Sequence, residues 1–176
     1  MKQLTLLPEA ASGLHILCLG AHSDDIEIGC GGTLLTWLET YANLSVTWVV
    51  LSAGGERARE AQESAASFLN STARRHVVVK NFRESYFHVV GGDIKDYFEV
   101  LKREVTPDVV FTHYRHDRHQ DHRVVSDLTW NTFRDHLILE YEIPKYDGDL
   151  GSPNLFVTVP EPVQQRKVEL LLRHFG

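Results

Sequence analysis

The sequence is poor in cysteine and has no long apolar run, and these two deficits exclude two kinds of protein. Cys18 and Cys30 are the two cysteines among 176 residues, too few for a disulfide framework, so we expect both thiols to be reduced. No apolar stretch approaches the ~18 residues that a membrane span needs. The first residues, through Glu9, also lack the apolar segment of a secretion signal. We therefore expect a cytoplasmic protein without a membrane span.

Basic residues are also in short supply. The chain has 18 Lys and Arg against 24 Asp and Glu, a formal net charge of −6. Binding of nucleic acid usually requires a basic face, so we expect no nucleic-acid partner. The length fits a single domain, residues 1–176, which can bury about two thirds of its unfolded surface. The oligomeric state stays open, with a homo-oligomer among the alternatives.

Apolar periodicity predicts strands that alternate with helices along the chain. We predict strands at 15–20, 44–51, 76–80, 107–112 and 137–143, and leave a further strand at 155–159 open. We predict helices at 33–42, 56–69, 93–105, 123–133 and 163–174, with Asp93 as the cap of the third. This alternation predicts an α/β, Rossmann-like three-layer sandwich with a mostly parallel sheet and helices on both faces. Residues 144–153 are predicted as a loop, either a substrate lid or a plain connection.

Two segments rich in histidine and aspartate each follow a predicted strand. The first segment contains His22, Asp24 and Asp25, and the second contains His119, Asp121 and His122. Ligands of parallel sheets bind beyond the carboxyl ends of the strands, where strand order reverses, so the segments meet if their strands are neighbours. A divalent cation relieves the repulsion between adjacent aspartates, and imidazole with carboxylate suits zinc. A solvated turn with an N-cap aspartate would explain the first segment alone, but the two segments together favour a metal site.

The first segment resembles a motif of a known family. Residues 21–34 (AHSDDIEIGCGGTL) resemble the Ala-His-Pro-Asp-Asp-x-Glu…Gly-Gly-Thr-Leu motif of the PIG-L/LmbE-like zinc de-N-acetylases, and residues 119–123 (HQDHR) resemble their His-Pro-Asp-His segment. The order and separation of the two motifs fit the family, and the resemblance covers most of the chain. Ser23 and Gln120 replace the prolines of the two motifs, and neither position is a metal ligand.

The resemblance implies a role for each of these polar residues. The implied metal ligands are His22, Asp25 and His122. Asp24 would be the general base that activates water, His119 would stabilise the oxyanion or protonate the leaving amine, and Asp121 would orient His119. The implied metal is Zn²⁺, with Fe²⁺ or another divalent ion as an alternative, because a His/His/Asp site is not selective by affinity alone.

The resemblance also implies an enzyme that hydrolyses the N-acetyl group of a small N-acetylated sugar or sugar conjugate, such as an N-acetylglucosamine conjugate. The residues alone indicate metal-assisted hydrolysis. Another metal-dependent amidase or esterase and a non-catalytic, metal-stabilised binding domain are the alternatives. A dinucleotide-dependent oxidoreductase is disfavoured, because the glycine fingerprint is missing after the first strand. Three side chains that follow the second and third strands are candidates for binding substrate: Arg57, Arg83 and Tyr86.

Overall fold

A computed structural model describes residues 13–72 and 74–176. The N-terminal residues, from which we expect no secretion signal, lie outside these ranges. The described residues form β1 (Leu14–Gly20), α1 (Asp25–Gly29), α2 (Gly31–Thr40), β2 (Leu44–Val50), α3 (Glu56–Phe68), β3 (Arg75–Val79), α4 (Gly91–Glu104), β4 (Val109–His113), α5 (Gln120–Thr132), β5 (Leu137–Tyr141) and α6 (Glu161–Phe175). No helix within these ranges is both long enough and apolar enough to cross a membrane.

The five strands form one sheet in the order β3-β2-β1-β4-β5, and every neighbouring pair is parallel. β1 therefore lies in the middle of the sheet. β2 and β3 extend the sheet on one side of β1, and β4 and β5 extend it on the other side. Strand order reverses between β1 and β4, which makes their carboxyl ends the expected ligand position. The predicted α/β class, with a parallel sheet, is confirmed.

Alternating side chains of the central strands belong to two separate hydrophobic cores, one on each face of the sheet. In β1, Ile16 and Cys18 belong to the core beneath α1, α2, α3 and α6, whereas Leu17 and Leu19 belong to the core beneath α4 and α5. All four side chains are fully buried. The near-continuous apolar run of β1 is thus a consequence of helices covering both faces of a parallel sheet.

Several elements begin or end at other residues than the sequence predicts, and one segment left open as a strand is irregular. Helix α4 begins at Gly91 with Val90 as its N-cap, so Asp93 lies in the first turn, where a carboxylate favours the helix dipole. Helix α5 begins at Gln120 because the His119 side chain accepts the Asp121 N–H and caps it. The open alternative of a strand at 155–159 is not realised, and this segment has no regular structure.

Gly29, at the end of α1, packs directly against the ring of Tyr141. A Cβ atom at Gly29 would overlap this ring. The ring is 5% exposed, and its hydroxyl donates a hydrogen bond to the Leu19 carbonyl at 2.7 Å, so the ring is not free to move away. The close contact between the Gly29 backbone and the Tyr141 ring therefore packs α1 against the end of β5.

We expect Gly29→Ala to destabilise the fold by about 1–3 kcal/mol, the usual cost of overpacking a core. A thermal melt should then show a fall of roughly 2–4 °C for each kcal/mol. Gly92→Ala is the matched control, because Gly92 also lies in a helix but has no heavy atom within 4 Å of the position that a Cβ atom would take. The control should be neutral or slightly stabilising. Equal melting temperatures for the two variants would contradict the packing argument.

Candidate metal centre and active site

The pairing of β1 with β4 brings the two polar segments to one place at the carboxyl edge of the sheet. The backbone N–H of Ala21, just after β1, donates a 3.0 Å hydrogen bond to Nε2 of His113, the last residue of β4. His22 and His122, which are 100 positions apart in the chain, have ring nitrogens 3.3 Å apart. The expectation that the two segments meet is therefore confirmed.

Donor atoms of three residues, including both oxygens of one carboxylate, lie at nearly equal separations. Nδ1 of His22 is 3.3 Å from Nε2 of His122 and 3.4 Å from Oδ2 of Asp25, and Oδ1 of Asp25 is 3.4 Å from Nε2 of His122. Tetrahedral zinc with bonds of about 2.0–2.1 Å would separate its ligand atoms by about 3.3–3.4 Å. The spacing of the donor atoms and the chemistry of two imidazoles and one carboxylate both fit a divalent metal ion.

Two further histidines border these three residues. His22, His119 and His122 form one group of donors within 4.8 Å of each other, and Asp25, His113 and His122 form another. His113 is less suited to bind metal, because its Nε2 lone pair already accepts the Ala21 N–H. Burial lowers the pKa of His113 to about 4 and so keeps this ring neutral.

The metal-binding candidates carry opposing charges in a buried position. Burial alone would raise the pKa of Asp25, but the surrounding imidazoles of His113, His122 and His22 hold this pKa well below its usual range. Burial lowers the pKa of His122, but hydrogen bonds to Asp117 and Asp25 outweigh it and raise this pKa to about 9. Asp25 is 3% exposed, so its negative charge needs the positive charge that a proton or a metal ion brings.

A buried carboxylate contacts each candidate histidine ligand at the ring nitrogen that faces away from the centre of the cluster. Oδ2 of Asp121 lies 3.1 Å from Nε2 of His22, and Oδ2 of Asp117 lies 2.9 Å from Nδ1 of His122. The carboxylates favour a proton on the rear nitrogen of each ring, which leaves Nδ1 of His22 and Nε2 of His122 free for a metal.

Asp121 does not orient His119 in the way that the resemblance implies. Its carboxylate contacts His22 and accepts the backbone N–H groups of Ser85, at 2.6 Å, and Phe87, at 3.1 Å. His119 is instead held by the backbone N–H of Asp121, which donates to His119 Nδ1 at 3.3 Å. The reason is tertiary packing, because His119 is the N-cap of α5 whereas the Asp121 carboxylate, in the first turn, is already bound by His22 and the β3–α4 loop.

His119 and Asp24 are the remaining polar residues of the two motifs. The His119 ring centroid lies 4.8 Å from that of His22 and 4.5 Å from that of His122. Because Nδ1 of His119 accepts a hydrogen bond, the neutral ring carries its proton on Nε2. Asp24 makes no capping hydrogen bond at the start of α1. Burial and the neighbouring charge of Asp25 raise the pKa of Asp24, which makes it a better proton acceptor.

The three candidates for substrate binding are exposed and lie outside the buried cluster. Arg57 is in the first turn of α3, with Nη1 3.0 Å from the Glu60 carboxylate. The Arg83 guanidinium stacks on the Tyr86 ring, 3.5 Å from its centroid. Arg83 and Tyr86 flank Ser85, which has the left-handed φ of 65° and whose N–H contacts Asp121.

Sequence reasoning missed the contacts that Ser85, Phe87 and Lys145 make with the buried carboxylates. The first two contribute backbone N–H groups, which every non-proline residue has, so the sequence carries no signal for them. Nζ of Lys145 lies 2.9 Å from the Asp117 carboxylate. A single lysine in a segment rich in proline, glycine and aspartate is ordinary in a surface loop, and its contact depends on how this loop packs against the β4–α5 segment.

Comparison with known proteins identifies similar sequences and folds. Residues 17–133 match the model of the PIG-L family, described as GlcNAc-PI de-N-acetylase. The chain is 29% identical to the uncharacterized deacetylase YaiS of Escherichia coli strain K12, over 96% of this chain and 95% of that protein. Both motifs lie inside the matched residues 17–133.

Two solved structures share the fold. The conserved protein TT1542 from Thermus thermophilus has a TM-score of 0.70 and 23% identity, over 92% of this chain and 79% of that one. A deacetylase of the teicoplanin biosynthesis pathway has a TM-score of 0.75 and 14% identity, over 91% of this chain and 83% of that one. At these identities the likeness describes the fold alone.

We expect His122→Ala to abolish stoichiometric binding of Zn²⁺, because it removes one of three donors from the cluster. Metal content after dialysis, measured by atomic spectrometry, would report this loss directly. His116→Ala is the matched control, since His116 is an exposed histidine six residues earlier. The unchanged protein and the control should each retain about one equivalent. Retention of that equivalent by His122→Ala would contradict the assignment of His122 as a ligand.

Proposed function

Because this chain belongs to the PIG-L family of de-N-acetylases, we propose that it is a zinc-dependent hydrolase that removes an N-acetyl group from an N-acetylated sugar or sugar conjugate. The observation that carries the proposal is the spacing of 3.3–3.4 Å between donor atoms of His22, Asp25 and His122, beside the uncapped carboxylate of Asp24. A structural zinc site usually has four protein ligands, whereas a catalytic site has three and one open position.

His22, Asp25 and His122 would hold the zinc ion, with Fe²⁺ as the alternative metal. When bound, the ion would polarise the acetyl carbonyl as a Lewis acid and lower the pKa of water in the site. Asp117 and Asp121, which hold the two histidines from behind, keep the ligand nitrogens aimed inward.

Asp24 and His119 would handle the protons of the reaction. Hydrolysis adds the oxygen of water to the acetyl carbon, breaks the C–N bond, and releases acetate and the free amine. Asp24 would accept a proton of the attacking water, a task that its raised pKa suits, and would then pass this proton to the leaving amine as the C–N bond breaks. His119, with its Nε2 proton free, would donate a hydrogen bond to the oxygen that becomes negative in the transition state. Asp121 would support this step indirectly, through His22.

The family and the exposed side chains near the cluster support the proposed substrate class. Arg83 and Tyr86 lie on the same loop as Ser85, whose N–H reaches the cluster through Asp121. An arginine stacked on a tyrosine offers both hydrogen-bond donors and a flat apolar surface, the combination that binds a sugar ring with its hydroxyls. Arg57 would contact the substrate from the first turn of α3. A cytoplasmic location and the oligomeric state stay predictions.

We expect Asp24→Asn to lower kcat for acetate release by about 10²–10⁴-fold, the usual contribution of a general base. The assay measures acetate released from a panel of N-acetylhexosamine conjugates by the zinc-loaded protein, with the metal-free protein as the blank. Asp127→Asn is the control, because Asp127 is exposed on α5. Zinc content should be the same in both variants. Full turnover by Asp24→Asn would show that Asp24 is not the base, and cleavage of acetyl esters alone would indicate an esterase.

We expect Arg83→Ala to raise KM about tenfold and to leave kcat nearly unchanged, because a lost hydrogen bond from a charged donor weakens ground-state and transition-state binding alike. Arg134→Ala is the matched control, since Arg134 is exposed in the turn between α5 and β5, at the opposite edge of the sheet. Steady-state kinetics on the best conjugate would give both constants. A KM for Arg83→Ala equal to that of the control would rule out a substrate contact.

A further inference from the structure

The two carboxylates behind the histidine ligands are held in different ways. Asp121 takes its other donors from two backbone N–H groups of the β3–α4 loop. Asp117 accepts one backbone N–H, from His119 at 2.7 Å, and one side-chain cation, Nζ of Lys145 at 2.9 Å. The orientation of His122, unlike that of His22, therefore depends on a charged side chain from a different part of the chain.

Lys145 reaches Asp117 from residues 144–149, which follow β5. Its Nζ also lies 2.6 Å from Oδ2 of Asp149, and the same oxygen accepts the backbone N–H of Arg118 at 2.6 Å. The side chain of Lys145 is 16% exposed and that of Asp149 is 5% exposed. These contacts are thus sheltered from the screening that weakens ion pairs in solvent, and they attach residues 144–149 to the β4–α5 segment.

Lys145 and His122 meet at a single oxygen. Nζ of Lys145 and Nδ1 of His122 each lie 2.9 Å from Oδ2 of Asp117, whose side chain is 2% exposed. Without the ammonium group, His122 would be the one side chain that still donates a hydrogen bond to this oxygen. The buried carboxylate would then rotate toward another donor. Such a turn would rotate the His122 ring, because a hydrogen-bonded carboxylate sets the orientation of a ligand imidazole.

We propose that Lys145 is a positioning residue of the metal centre, which fixes Asp117 so that His122 presents Nε2 to His22 and Asp25. The inference rests on the metal centre of the proposed function and adds to it a residue outside both sequence motifs. It also gives the segment 144–153 a role beyond a plain connection, since docking of its first residues supports the metal site.

The test compares Lys145→Met, Lys145→Arg and the control Lys102→Met, since Lys102 is exposed on α4. The readout is the Kd for Zn²⁺, measured without substrate by competition with a chromophoric chelator. We expect Lys145→Met to bind zinc about 10- to 100-fold more weakly, the usual effect of losing a group that orients a ligand. Lys145→Arg, which restores a cation, should regain most of the affinity, and Lys102→Met should match the unchanged protein.

A double-variant cycle with Asp117→Asn tests whether Lys145 acts through Asp117. If it does, adding Lys145→Met to Asp117→Asn should weaken zinc binding little further, because the shared contact is already lost. Fully additive effects would overturn the inference. So would a Lys145→Met protein whose metal-free form melts at a lower temperature but binds zinc with unchanged affinity, since Lys145 would then be a structural contact.

The outcomes also separate this inference from the proposed function. A protein that binds zinc, with affinity that falls in Lys145→Met, but releases no acetate from any conjugate contradicts the proposed function and supports the inference. A protein that releases acetate and whose Lys145→Met form binds zinc unchanged contradicts the inference alone. Absence of zinc binding by the unchanged protein contradicts both.

Discussion

The parallel pairing of β1 with β4 is the constraint on which the site depends. Ile16, Leu17 and Cys18 lie opposite Val109, Val110 and Phe111, and all six side chains are buried. A shift of this register by one residue would turn each of them to the wrong core, so the register is fixed by two hydrophobic cores at once. The positions of the polar segments that leave the two strands follow from that register.

Buried charge is the second constraint, and it explains the layered arrangement around the cluster. The carboxylates of Asp25, Asp117 and Asp121 are all nearly inaccessible to water, and each of them contacts at least one histidine ring. Hydrogen bonds and opposite charges offset the cost of removing such groups from water. The candidate ligand imidazoles therefore have two functions. One ring nitrogen contacts a buried carboxylate, and the other ring nitrogen is free at the centre of the cluster.

The sequence predicts the strands, the sheet class and the two polar segments because each has a local pattern. β1 and β2 are recognisable as mostly apolar runs, and the donors of the candidate metal site occur in two short motifs. The five-residue helix α1 was not predicted, since it is too short for an apolar period to be visible. The Asp121 carboxylate contacts His22 rather than His119, the partner that the resemblance implies, because this contact depends on tertiary packing. The contacts of Ser85 and Lys145 have no sequence signal for the same reason.

One carboxylate, that of Asp121, contacts both the imidazole of His22 and the loop that carries Arg83 and Tyr86. Under the proposed function, the metal ion and the substrate would therefore bind groups that share this carboxylate. If substrate binding at the loop changes the affinity for the metal by some factor, thermodynamic reciprocity requires the metal to change the affinity for substrate by the same factor. A shortage of metal would then change the affinity for substrate in addition to lowering the fraction of metal-loaded protein.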